Sequence, residues 1–173
     1  GQYLDSLEMT ATIKGFEPLY IQRIAQLTNK SNQFNLTTLR CSEDDIRAMA
    51  GDKNDLCLCG RLVDKFGDNG IVTVVAGRQQ GDVLDLTLWL MSCRVLKRGM
   101  EDAMMDTVVA EAAARGVKTI VGHYYPTAKN AMVREFYAQY DFAKTAEDAD
   151  GNTEWTLDVA AYTPKHPHMK IER

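Results

Sequence analysis

The stretch Val83–Tyr124, VLDLTLWLMSCRVLKRGMEDAMMDTVVAEAAARGVKTIVGHY, decides the fold. Its first ten residues, Val83–Ser92, are apolar and β-prone, and they predict a strand. Met100, Ala103, Met104, Val108 and Ala112 then recur at helical spacing. They predict a helix from about Gly99 to Arg115, with Gly116 as its natural C-cap. Val117–Tyr124 (VKTIVGHY) predicts another strand. Strand, loop, helix, strand is a βαβ unit, so the two strands should run parallel in one sheet.

Upstream, Ile71–Arg78 (IVTVVAGR) is apolar on both faces and should be a central, covered strand. Asp68-Asn69-Gly70 before it is a strong turn signal, and Asp55–Asp64 (DLCLCGRLVD) is the strand leading into it. Met9–Lys14 reads as a short β-branched strand. Pro18 opens a helix to about Asn29, with Ile21, Ile24, Ala25 and Leu27 on one face. Asn29–Arg40 is polar and irregular. Ser42 followed by Asp45 is a capping-box variant and starts a short helix ending near Gly51. Downstream, Met132, Val133, Phe136 and Tyr137 form the apolar side of a helix over Asn130–Tyr140. Asp141–Thr145 and Thr153–Val159 make a closing hairpin around Asp150-Gly151-Asn152. The predicted order is β-α-α-β-β-β-α-β-α-β-β: an α/β fold, one domain over 1–173, with a mixed central sheet flanked by helices. Residues 1–6 read as a leader, with Gly1 as a remnant of tag cleavage. The tail 162–173, with two prolines and few apolar residues, should pack loosely.

The chain has 173 residues, 45% hydrophobic and 25% charged. That is enough for one domain with a real core. A net charge of −4 without any Lys/Arg-rich run argues against nucleic acid as the partner. There is no apolar stretch near transmembrane length and no signal-peptide pattern, so no membrane partner and a cytoplasmic location are expected. Cys41, Cys57, Cys59 and Cys93 form no regular framework, so reduced thiols are expected. Cys57 and Cys59 are alternate residues of one strand and read as packing. No metal site is expected.

The loop Cys93–Gly99 (CRVLKRG) joins a buried strand to a helix N-terminus. The first N–H groups of that helix lack internal partners and carry partial positive charge. Arg94, Lys97 and Arg98 add cations, and together they suit a phosphate; the alternative is an ordinary basic crossover turn. Cys93 closes one parallel strand, and His123 stands near the end of its neighbour. Side by side they would make a nucleophile and a base for thioester exchange. The alternative for Cys93 is a small buried residue filling a strand end. Asn32, Gln33, Asn35, Thr37 and Arg40 form a polar segment suited to a small hydroxylated group, or else a solvated loop.

The element order and this loop resemble the GNAT (Gcn5-related) acyltransferases over nearly the whole chain. The resemblance implies a pyrophosphate loop of pattern Arg/Gln-x-x-Gly-x-Gly/Ala. Arg94 and Gly99 match its ends, Val95, Lys97 and Arg98 lie within it, and Lys97 replaces the usual middle glycine. It implies coenzyme A or a 4'-phosphopantetheine thioester as ligand, with pantetheine entering where the sheet splays. It further implies that Asn130 touches pantetheine and that Tyr137 donates a proton to the leaving thiolate. The segments IAQLTNKSNQFNLTT (24–38), FGDNGIV (66–72), LMSCRVLKRGMEDAMM (90–105) and PTAKNAMVREFY (126–137) resemble, more narrowly, the C-terminal half of FkbH-like proteins. Those fuse a HAD-type phosphatase domain to a GNAT-like domain. They load a glyceryl unit from a phosphorylated three-carbon acid onto an acyl carrier protein, en route to methoxymalonyl-type extender units. The resemblance implies an acyl carrier protein and a HAD-type phosphatase domain as partners; no HAD motif occurs in this chain. Two other functions stay open: acetyl-CoA-dependent N-acetylation with Asp85 as strand carboxylate, and a non-catalytic module that docks an acidic carrier protein on Arg94, Lys97 and Arg98.

Overall fold

A computed structural model describes residues 2–173; Gly1 lies outside them. The strands are β1 (Thr10–Lys14), β2 (Asp55–Asp64), β3 (Gly67–Gln80), β4 (Val83–Met91), β5 (Thr119–Tyr124), β6 (Ala143–Glu147), β7 (Thr153–Asp158) and β8 (Lys170–Glu172). They form one sheet in the order β6-β7-β5-β4-β3-β2-β1-β8. The helices are α1 (Gln2–Ser6), α2 (Ile21–Lys30), α3 (Glu43–Gly51) and α4 (Met100–Ala114). β4 and β5 are parallel, as the βαβ reading requires.

Both faces of the sheet are covered. Ile24 and Leu27 of α2 and Ile46 of α3 pack on Val74, Leu88 and Leu90. Met100, Met104 and Val108 of α4 pack on Val72, Val75, Leu84 and Trp89 on the other face. β3 therefore buries both sides, which its uninterrupted apolar run requires. α3 begins at the capping box: Ser42 Oγ accepts from Asp45 N at 3.1 Å, and Ser42 N donates to Asp45 Oδ2 at 2.8 Å.

β4 does not keep one phase. Ala76 pairs with Leu88 and Gly77 with Leu86, so Thr87 is an extra residue in the ladder. A one-residue bulge exchanges the two faces of a strand. Accordingly Leu84 and Leu86 share the α4 side with Trp89 and Met91, while Leu88 and Leu90 face α2.

Several boundaries differ from expectation. Asp68-Asn69-Gly70 lies inside β3, and the chain reverses at Lys65-Phe66, where Asp64 Oδ1 accepts from Phe66 N. Gly70, at φ 70°, lies where the β2–β3 register shifts, so the glycine signal marks an irregular ladder and not the hairpin tip. Residues 130–140 are not one α-helix. They wind as two tighter turns, Ala131–Val133 and Tyr137–Tyr140, joined by i→i−3 bonds such as Phe136 N to Val133 O at 3.0 Å. The first residues after Gly1 form α1. The tail is not loose either. β8 pairs parallel with β1, and Asp106 of α4 holds the approach to it by accepting from Tyr162 Oη, Lys165 N (2.8 Å) and His166 N (3.0 Å). Asp106→Ala should therefore lower stability by about 2 kcal/mol, since hydrogen bonds to a charged acceptor are the stronger kind. Urea titration would read the loss, and amide exchange should accelerate over 162–172 while β2–β5 keep their protection.

Candidate functional site

β4 and β5 pair only from Val83–Asp85 to Thr119–Val121 and then diverge. Beyond Asp85 the inner edge of β4 carries backbone donors and acceptors in the middle of a sheet, and these must find partners. The segment after α2 supplies them. Leu36 N donates to Trp89 O at 3.0 Å, and Met91 N donates to Phe34 O at 2.9 Å. Thr37 Oγ1 donates to Thr87 O, the carbonyl of the bulge, at 2.9 Å. On its other side, Leu36 O accepts from Tyr125 N at 2.9 Å. Residues 34–37 thus bridge the divergence as a short strap. Phe34, Asn35 and Leu36 are buried, and Phe34 meets Phe136 edge-on with centroids 5.4 Å apart. Burying two such side chains contributes about 1.5–3 kcal/mol each, set against the entropy of ordering the segment.

This strap accounts for four residues assigned above to ligand contact. Asn130 is fully buried; its Nδ2 donates to Asn35 O (2.9 Å) and Tyr125 O (3.0 Å), while its Oδ1 accepts from Thr127 N. It clasps the strap and has no donor left for pantetheine. Asn35 closes its own loop, donating to Ser31 O and accepting from Thr38 N. Thr37 is bound to β4. Arg40 donates to Thr28 O and Ser31 O, capping the C-terminal end of α2, and to Asn32 Oδ1.

Cys93 opens onto solvent at one end of the strap. Its Sγ donates to Gln33 Oε1 at 3.2 Å. It lines an open cavity of about 670 Å³ with Asn32, Gln33 and four cations, Arg23, Lys30, Arg94 and Lys129, and no carboxylate lines it. Partial burial, with the Arg94 guanidinium facing it, pulls Arg23 below its ordinary value. Two like charges held against a cavity suit an anion. Arg94 was expected here. Arg23 and Lys30 were not, although seven residues apart on α2 they fall on one helix face. At Cys57 and Cys59 burial pushes both thiols up to about 12.

His123 is not beside Cys93. Val121 pairs with Asp85, which sets His123 level with Thr87, six residues short of Cys93. At about 3.3 Å per residue that is roughly 20 Å. His123 Nε2 lies 2.5 Å from Asp85 Oδ1 instead, in a second cavity of about 430 Å³ lined also by Thr37, Arg40, Thr87 and Tyr125. Tyr137, expected to protonate a thiolate, is in the core. It is 1% exposed, its ring is stacked under Gly122, and burial drives its hydroxyl above the ordinary tyrosine range. A Cβ on Gly122 would stand 2.4 Å from Tyr137 Cζ, so only glycine admits the ring.

At the α4 N-terminus Lys97 (φ 64°) and Gly99 (φ 88°) turn the chain into the helix. A turn at Leu96-Lys97 and a bend at Arg98-Gly99 lead into the helix. Val95 is fully buried, and its N–H is bound to Ser92 O. Arg98 is not free for a phosphate, because it donates to the buried Asp64 carboxylate at 2.7 Å.

The overall fold is similar to that of several solved structures. The ribosomal-protein-S18-alanine N-acetyltransferase from Escherichia coli matches with a TM-score of 0.65 at 15% identity, over 86% of this chain and 94% of that one. The GNAT domain of S. lividans PAT matches at 0.64 and 15%, over 84% and 89%. The spermidine N-acetyltransferase from Vibrio cholerae, in complex with CoA and spermine, matches at 0.64 and 9%, over 87% and 96%.

The chain has the GNAT acetyltransferase fold.

No protein-family model and no curated protein matches the sequence. Among the described residues no helix is long and apolar enough to cross a membrane. The strap leaves no open β4 edge between Trp89 and Met91.

Glu101, in the first turn of α4, is a further constraint. Its Oε2 is buried without a hydrogen-bond partner, and desolvation raises its carboxyl above the usual range. The folded state then holds this proton more tightly than the unfolded chain. Stability therefore falls as pH rises from the ordinary glutamate value through the raised one. Glu101→Gln should be more stable than the wild type by about 1 kcal/mol at pH 7, the helix dipole offsetting part of the gain. The two should converge near pH 4, where the unfolded glutamate is also protonated. Urea midpoints at the two pH values measure this.

Proposed function

We propose that the domain is an acyltransferase that carries a glyceryl group on Cys93 and passes it to the phosphopantetheine thiol of an acyl carrier protein. The observation that carries the reading is the exposed Cys93 thiol in a cavity with four cations. A phosphorylated three-carbon acid, activated at its carboxyl, suits such a lining, and so does the phosphate of a carrier arm. In the first step Sγ releases its proton to solvent and attacks the acyl carbon; the C–S bond forms as the C–O bond to the phosphate that activates the carboxyl breaks, and that phosphate departs. Gln33, bound to the thiol, orients it. In the second step the carrier thiol attacks the same carbon, and Cys93 departs as thiolate and regains a proton. An acidic carrier surface would meet Arg23, Lys30, Arg94 and Lys129. A HAD-type phosphatase domain, fused or separate, is the expected partner on the donor side, and a cytoplasmic setting suits a free thiol.

One observation favours a second reading. The His123–Asp85 pair faces its own cavity beside the β4 bulge and suits a general base for an amine acceptor, as N-acetylation from acetyl-CoA requires. Intact-protein mass spectrometry separates the two. With glyceryl-loaded carrier protein as donor, the wild type should gain a hydroxylamine-labile glyceryl mass that maps to Cys93 and is absent from Cys93→Ala. No adduct, together with amine acetylation from acetyl-CoA that His123→Gln abolishes, would favour the second reading instead.

A further inference from the structure

We propose that Phe34–Thr37 is a displaceable occupant of a ligand cleft, one that follows the inner edge of β4 from the Cys93 cavity to the His123–Asp85 cavity. The cleft's own ligand is an extended chain bearing amide groups, of the pantetheine class. The inference rests on reading this edge as the thioester site, and it concerns access to that site.

Three observations carry it. The two cavities lie at opposite ends of the strap: Asn32 and Gln33 line the first, and residues 37–40 line the second. The strap runs from the cavity of the exposed thiol to that of the His–Asp pair. Next, the needs of the β4 edge are simple. Met91 N requires an acceptor, and Trp89 O and Thr87 O require donors; the strap meets them with Phe34 O, Leu36 N and the Thr37 hydroxyl. A linear diamide offers the same alternation of C=O and N–H, and the Cys93 end of the cleft holds the cations that a phosphate on such a chain would meet. Finally, the strap belongs to no continuous ladder. It makes one isolated bridge, Asn35 to Leu90, ends at Thr38 with φ 52°, and is fastened by three backbone hydrogen bonds and the side chains of Asn130 and Thr37. Such fastenings can be released one at a time without unpairing β3 from β4.

A ligand that must evict the strap binds with an affinity reduced by the fraction of molecules already open. Weakening the strap should then tighten binding. Calorimetric titration with coenzyme A would compare the wild type, Leu36→Ala and the milder Thr37→Val. Leu36→Ala should bind coenzyme A at least about thirtyfold more tightly than the wild type, with Thr37→Val between them. In the saturated wild type the amides of Leu36 and Tyr125, which the strap protects, should exchange about tenfold faster. Variants that bind no better than the wild type would overturn the proposal. So would coenzyme A binding that leaves those two amides protected, or no binding by any of the three proteins. The assay does not involve acylation of Cys93, so it can succeed where the glyceryl-carrier reading fails.

Discussion

A parallel strand pair that parts after three residues leaves unpaired backbone in the middle of a sheet, and that constraint organises this domain. The edge of β4 between Thr87 and Met91 cannot remain bare, because buried peptide groups without partners are expensive. Residues 34–37 satisfy it. Around this bridge the rest falls into place. Asn130 is buried to hold it, and Phe136 packs against Phe34. The turn after β5 winds tightly enough to bring both inward. The two cavities lie at opposite ends of the strap.

Charge is distributed against the grain of the composition. The chain is net acidic, yet Arg23, Lys30, Arg94 and Lys129 converge on Cys93 without a carboxylate among the lining residues. Arg98, drawn to Asp64, serves the fold, while Arg94 lines the cavity and donates to Asn69 O of β3 at 3.2 Å. The same loop thus divides its cations between holding β2 and facing solvent. Only the second group is available to an anion.

Local signals in the sequence were reliable where chemistry is local. The Ser42–Asp45 capping box, the apolar faces of α2 and α4, and the strand–helix–strand run from Val83 each follow from neighbours a few residues apart. What could not be read depends on register. The offset that sets His123 level with Thr87 and opposite Asp85, and not beside Cys93, is fixed by how α4 returns the chain, and no pattern within either strand encodes it. Asp68-Asn69-Gly70 supplied a valid glycine signal that the structure spends within an irregular ladder. The strap was hidden by its polar surroundings. Phe34 and Leu36, alternating around Asn35, are the one strand-like trace in Asn29–Arg40, too short to outweigh the asparagines and threonines beside it. The tail misled for a similar reason: Asp106, far away in the chain, ties it down.

Scalar couplings transmitted across hydrogen bonds, measured by nuclear magnetic resonance on the ligand-free protein, test the central claim most directly. Couplings from the Leu36 amide nitrogen to the Trp89 carbonyl carbon, and from the Met91 amide nitrogen to that of Phe34, should appear with a strength like those across β3 and β4. Their absence, with the β3–β4 couplings intact, would mean that the edge of β4 is open and that the strap does not fill it.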